Sequence, residues 1–320
     1  MPNGTRPRIQ VKTLKLPRVI AILAYCAASQ FLSFVAGHAV QATEKATMHT
    51  ASGHDTTSAA NAKPICEVQV EAGGDHLAHA LLEAAPGSHL CLQPGVHSAS
   101  LSISKSLTLR GIAAGVILQG SGRDSVLRVD DDGVALRLEN LVLQGGSAQA
   151  GGGLAIFGRG KVHASDCTFC DNTGGMVGGG AVYARAGMLV LERCIFTRNH
   201  GRQGGALMLD MAMHAELQRC EFSNNTADIA GALRISEAAE VDLKACKLAG
   251  NLGADGSQVR ASGTRSRVPT VRLDHCEVDS GRLINGPEIQ GHITAKGCKL
   301  PASWKGSATD GGGNTWRPAI

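Results

Sequence analysis

Two short motifs recur in step along the middle of the chain, and that shared period constrains the fold more than any other feature. The first reads CTFCDN at Cys167, CIFTRN at Cys194, CEFSNN at Cys220 and CKLAGN at Cys246, with weaker copies CEVDSG at Cys276 and CKLPAS at Cys298. The second reads GGGLAI from Gly151, GGGAVYA from Gly178, GGALML from Gly204 and AGALRI from Ala230. Before the Cys lie the alternating runs MLVLER at Met188, HAELQR at His214 and EVDLKA at Glu240, the period-two pattern of a strand with one face buried. A unit of roughly 26 residues holding two or three such strands cannot bury its apolar face alone, but a stack of units can. The expected fold is therefore all-β, a parallel β-helix with room for about eight coils between positions 90 and 300, each rising by a strand spacing of roughly 4.8 Å.

In-register stacking gives the repeated letters their meaning. Leu189, Leu191, Cys194 and Phe196 are expected to point inward above Leu217, Cys220 and Phe222 of the next coil. Asn199, Asn225 and Asn251 recur at one corner, where a side-chain amide can satisfy turn backbone and pair with the Asn above it. Gly205 and Gly231 mark a corner that needs either positive φ or close backbone approach.

The composition agrees, with 41 Gly and only 3% aromatic residues. Residues 1–42 read as a secretion signal: Arg6, Arg8, Lys12, Lys15 and Arg18 precede an apolar stretch over 19–36, and AVQA ends at Ala42. An uncleaved single-span anchor is the alternative, the one route by which the chain would meet a membrane. That segment holds five basic residues and no acid, so the remainder carries 26 bases against 27 acids, and the formal charge of +4 is no argument for nucleic-acid binding. Residues 43–64 read as a flexible linker, 65–97 as an N-terminal cap with the first coil, 98–300 as the coils and 301–320 as a C-terminal cap. In the first cap, Asp75 is the expected N-cap of a short helix burying Leu77, Leu81 and Leu82. Cys66 and Cys91 flank that helix and are expected to form a disulfide in an oxidising, secreted, periplasmic or cell-surface location. The Cys of the repeats is expected to act as a small buried apolar filler. Cys170 stands beside Cys167, and CTFC lacks a second Cys pair for zinc.

Candidate chemistry lies on the outward face of the strand preceding each Cys. Glu192, Glu216 and Asp242 are expected in one patch, with Lys244 and Arg219 beside them. Solvent-facing charges that pair across coils would give the same pattern without any catalysis. A second outward column, Tyr183, Met208 and Arg234, is a candidate docking surface. Asp130, Asp131 and Asp132 form a solvated turn or a weak cation site.

The F-x-x-N and G-G-A-aliphatic signatures, carried by Phe169, Asn172, Phe196, Asn199, Phe222, Asn225, Ala181, Ala206 and Ala232, resemble the repeats of chlamydial-type polymorphic outer membrane proteins within the pectin-lyase-like group of right-handed parallel β-helices. That resemblance implies a right-handed solenoid and a surface for adhesion or for contact with a polysaccharide, cell-surface glycan or protein, with no cofactor. No alternating barrel strands follow position 300, so it is expected to carry the coils and not a membrane barrel. The wider group also implies an alternative: a lyase, hydrolase or epimerase acting on acidic glycans in a groove along the helix, its carboxylates holding Ca²⁺ and an Arg or Lys taking a proton.

Overall fold

The structure, a computed structural model, describes residues 66–318 apart from 212, 256, 280–281, 286–290 and 306, with the backbone alone at 282–285. The expected signal and linker, residues 1–64, lie outside the described residues, as does position 65.

Every strand pair within the sheets is parallel, and each strand pairs with the equivalent strand of the coil above and below. Three sheets form the sides of the coil. The first has eleven strands, among them Lys161–Ser165, Gly187–Glu192, Met213–Gln218 and Glu240–Lys244. The second has ten, including Thr168–Cys170, Ile195–Thr197 and Glu221–Ser223, and the third has eight, including Val182–Ala184, Leu207–Leu209 and Leu233–Ser236. Eight strands in the third sheet match the expected eight coils. A further five-stranded side sheet, from Ser147–Ala150 to Leu252–Gly253, runs along one corner and was not anticipated.

The columns stack as their letters require. Phe169, Phe196 and Phe222 are fully buried and lie face to face, with centroids 4.9 and 4.8 Å apart. Cys167, Cys194, Cys220, Cys246, Cys276 and Cys298 are buried and form no disulfide. Burial pushes the Cys167 and Cys220 thiols up, away from the reactive thiolate. The buried Cys170 thiol donates to Gln144 Oε1 at 3.7 Å. Asn172, Asn199, Asn225 and Asn251 form a continuous buried amide ladder. Gly205 and Gly231 serve by close approach, because a Cβ on Gly205 would meet the Gly231 carbonyl at 2.2 Å. Positive φ falls instead on Gly204, at +83°.

Two further corners were missed by the sequence reading. The residue before each repeat Cys has positive φ although most are not Gly: Asp166, Arg193, Arg219, Ala245 and His275 lie between 52° and 55°. The residue before the ladder Asn does the same, at 53° to 56° for Asp171, Arg198 and Asn224. Both bends cost about 1 kcal/mol per residue and persist because the stacked sheets on either side determine them. Asn140, Gly145, Gly250 and Gly297 occupy these same columns and were the available signal.

The cap helix α1, His76–Glu83, buries Leu77 and Leu81 over the first coil. Leu82, expected on that face, is 76% exposed, because the buried stripe of so short a helix is only one residue wide per turn. Asp75 occupies the N-cap position without a side-chain cap hydrogen bond. At the helix's other end Lys105 Nζ donates to the carbonyls of Leu81, Leu82 and Ala84. The Cys66–Cys91 disulfide joins the cap to the first sheet, with Cα atoms 5.6 Å apart. At the far end Trp304 is buried within the lower cap. No helix among the described residues is long and apolar enough to cross a membrane.

Candidate functional site

Two neighbouring in-register columns on the outer face of the first sheet carry Glu192, Glu216, Asp242 and Lys244. One runs Thr108, Arg137, His163, Val190, Glu216, Asp242 and Arg272, and its neighbour runs Arg110, Glu139, Ser165, Glu192, Gln218, Lys244 and Asp274. These positions point outward because Val162, Ala164, Leu189 and Leu191 between them are buried.

The candidate acids share this face but do not converge. Glu216 and Asp242 are adjacent in one column, whereas Glu192 lies in the next. Each has its own partner: Asp242 meets Arg272 at 3.0 Å, Glu216 meets the His214 ring at 3.3 Å, and Glu192 meets Arg193 at 3.2 Å. Lys244 is exposed in the Glu192 column, and Arg219 is exposed at its left-handed corner. Among the described residues no three His, Cys, Asp or Glu side chains are gathered closely enough to hold a metal ion. These acids lie apart, each already paired, and do not fit a Ca²⁺ site. The Asp130–Asp132 turn is committed likewise: Asp130 accepts Arg128 Nε, and Asp132 caps the Arg159 N–H at 2.7 Å.

What the sequence reading did not single out lies two coils earlier. There an open depression of about 300 Å³ is lined by Thr108, Ala135, Arg137, Lys161 and His163, with no carboxylate among its lining residues. Lys161 makes no ion pair among the described residues, and Arg137 has only Glu139 at 3.7 Å. His163 Nε2 is buried without a hydrogen bond and faces Glu192 Oε1 at 3.6 Å. Burial first, and Arg137 second, hold the His163 pKa below its ordinary value of 6.5, so the ring is neutral at neutral pH. Glu192 thus bridges His163 and Arg193, and Arg193 in turn grips both oxygens of Asp166 on the coil below. Lone Lys, Arg and His residues at successive alternate positions were the signal, but period-two spacing alone did not separate them from ordinary surface charge.

Two other depressions are present. One, of about 330 Å³, lies between α1 and Lys105; the other, of about 490 Å³, is lined by Arg159, Met211, Glu237 and Arg267. In the first the Lys105 ammonium is held by backbone carbonyls, and in the second a carboxylate, Glu237, is among the lining residues.

The candidate docking column is largely covered, contrary to the expectation of an outward surface. Tyr183 and Met208 do point away from the main core, but they are 3% and 5% exposed, packed with Ala150 and Phe157 in a second small apolar cluster. The unforeseen side sheet supplies Ala150. Only Arg234 of the three retains partial exposure.

A family model described as the right handed beta helix region matches residues 96–289, more than half of the chain. No curated protein matches the sequence. Among solved structures, the chain is similar to a pectin methylesterase from Aspergillus niger at 14% identity and a TM-score of 0.40, covering 79% of this chain and 84% of that one. It is similar to the carrot pectin methylesterase at 10% identity and 0.40, covering 81% and 90%. For the catalytic unit of a Streptomyces thermodiastaticus GH87 α-1,3-glucanase the values are 14% and 0.30, covering 82% and 71%. At these identities the likeness is one of fold and carries no argument about substrate or residue roles.

Proposed function

The chain belongs to the right handed beta helix family, and from that premise we propose that it is an exported solenoid whose first-sheet face binds an acidic polysaccharide or cell-surface glycan without turning it over. The observation that carries this reading is the recess at Arg137, Lys161 and His163, two permanent cations and a titratable ring with no carboxylate among them. An anionic sugar would bring the missing charge, and the flat, in-register face beyond the recess would accommodate an extended chain. The Cys66–Cys91 disulfide supports an oxidising location, and so does the basic, apolar leader expected at residues 1–42. The repeat's resemblance to polymorphic outer membrane proteins supports display at a cell surface. No cofactor enters the proposed role.

A second reading rests on one contact. The His163 ring is neutral and stands 3.6 Å from Glu192 beside a recess of cations, where it could take a proton from an acidic glycan. Retention on immobilised polygalacturonate, measured against a neutral glucan, tests both readings. Wild type should be retained on the acidic polymer alone, and the double variant Arg137→Ala, Lys161→Ala should be retained about tenfold or more weakly. Equal retention on both polymers, or an unchanged double variant, overturns the binding reading. Release of shortened or unsaturated product by wild type, lost in His163→Gln, replaces it with the second.

A further inference from the structure

The outer side of the third sheet carries a separate stripe, one residue per coil: Arg128, Ala155, Tyr183, Met208, Arg234 and Arg260. Its last two members are register partners on adjacent coils, so two Arg side chains leave backbones that lie roughly 4.8 Å apart. Arg260 is paired, with Nη1 3.0 Å from Asp255 Oδ2. Asp255 is itself held by the Ser257 hydroxyl and N–H, which keep its carboxyl ionised.

Arg234 has no such partner. Its Nη1 donates to the carbonyl of the next residue, Ile235, at 2.8 Å, and its Nε is buried with no acceptor. Among the described residues no carboxylate forms an ion pair with it. The nearby Asp210 makes no ion pair with it: its Oδ1 accepts the Ser236 hydroxyl at 2.5 Å and the Met211 N–H at 2.8 Å, and it acts on Arg234 only through the longer-range attraction that Asp255 and Glu237 also exert. Burial, and then Arg260, pull the Arg234 pKa down to about 10, which leaves the group charged at neutral pH. A half-buried cation beside a second cation, with a buried idle Nε–H, is costly to hold, and buried donors without acceptors are rare enough to require a reason. The planar fork of Arg fits two oxygens of one oxyanion.

We propose that Arg234, backed by Arg260, is a binding site for a compact oxyanion: a carboxylate or sulfate, either carried on a saccharide or free in solution. The buried Tyr183 and Met208 of the same stripe form an apolar floor on the side of the preceding coils. The site lies on a different sheet from the Arg137 recess and stands whether or not that recess binds glycan.

The test is calorimetry and thermal unfolding with sodium sulfate and sodium galacturonate at millimolar concentration, against sodium chloride of equal ionic strength. Sulfate or galacturonate should bind wild type and raise its unfolding temperature, and Arg137→Ala should respond as wild type does. Arg234→Met keeps the length of the side chain and removes the charge. It should bind about tenfold or more weakly. Without anion it should be at least as stable as wild type, an outcome that a purely structural Arg would not give. Binding of both probes identifies a saccharide-borne acid, and binding of sulfate alone identifies the free ion. Equal shifts in sulfate and chloride, or undiminished binding by Arg234→Met, overturn the proposal. Should that variant fail to fold, wild-type calorimetry decides: no heat of binding from either probe overturns it.

Discussion

Replacing Asn225 with Ala tests the register on which every site above depends. The side chain is fully buried and makes four hydrogen bonds. Its Nδ2 donates to Phe196 O at 2.9 Å and Asn251 Oδ1 at 2.8 Å, while its Oδ1 accepts Asn199 N–H at 3.0 Å and Asn199 Nδ2 at 2.9 Å. After truncation, Asn199 Nδ2 keeps Phe169 O and Asn251 Oδ1 keeps the Asn225 N–H. The Asn199 N–H, however, loses its acceptor inside the protein. Counting about 1–3 kcal/mol for that stranded donor and roughly 1 for each of the three other bonds lost, the loss in stability is about 4–6 kcal/mol. Asn224→Gly, at an exposed position with φ of 56°, should change stability by less than about 1 kcal/mol. Urea unfolding followed by circular dichroism measures both. Because a solenoid's stability is a sum of coil and interface contributions, hydrogen exchange should localise the weakening to the coils around Asn199 and Asn251. If Asn225→Ala costs no more than Asn224→Gly, the amide ladder does not hold the coils in register and the reasoning fails.

Two other outcomes follow from the cap and the recess. Reducing or removing the Cys66–Cys91 bond, whose sequence separation is 25, should cost about 3.5 kcal/mol and expose the cap to limited proteolysis before the coils; simultaneous loss of cap and coils would count against it. For His163, the folded pKa lies below 6.5, so as pH falls through 6.5 the unfolded chain takes up the proton first and native stability declines until the folded ring is protonated. Over that same descent the recess gains a third positive charge, and retention on polygalacturonate should strengthen. His163→Gln should flatten both profiles below pH 6.5, and profiles identical to wild type would contradict the placement of the ring.

The repeat was legible because its period and its two synchronised markers admit one alignment. Once Cys194 stands over Cys220, Phe196 must stand over Phe222 and Asn199 over Asn225, and they do. The cap disulfide was legible for a similar reason, since two Cys flank one short helix. Outward positions have no such constraint. Whether Glu192 meets Glu216 or instead His163 depends on which column of the strand each occupies and on how the left-handed corner turns Arg193 back over Asp166. Likewise, nothing in the alternation around Tyr183 and Met208 announces that Ala150 and Phe157 will cover them, because the covering strand comes from an earlier coil through glycine-rich sequence without its own hydrophobic period. The linear chain determined what faces inward, since burial is shared by every coil and written as a period. Folding in three dimensions alone decided which outward groups are paired, covered or left as the unmatched cations of Lys161 and Arg234, since those contacts are made once, between residues far apart in sequence.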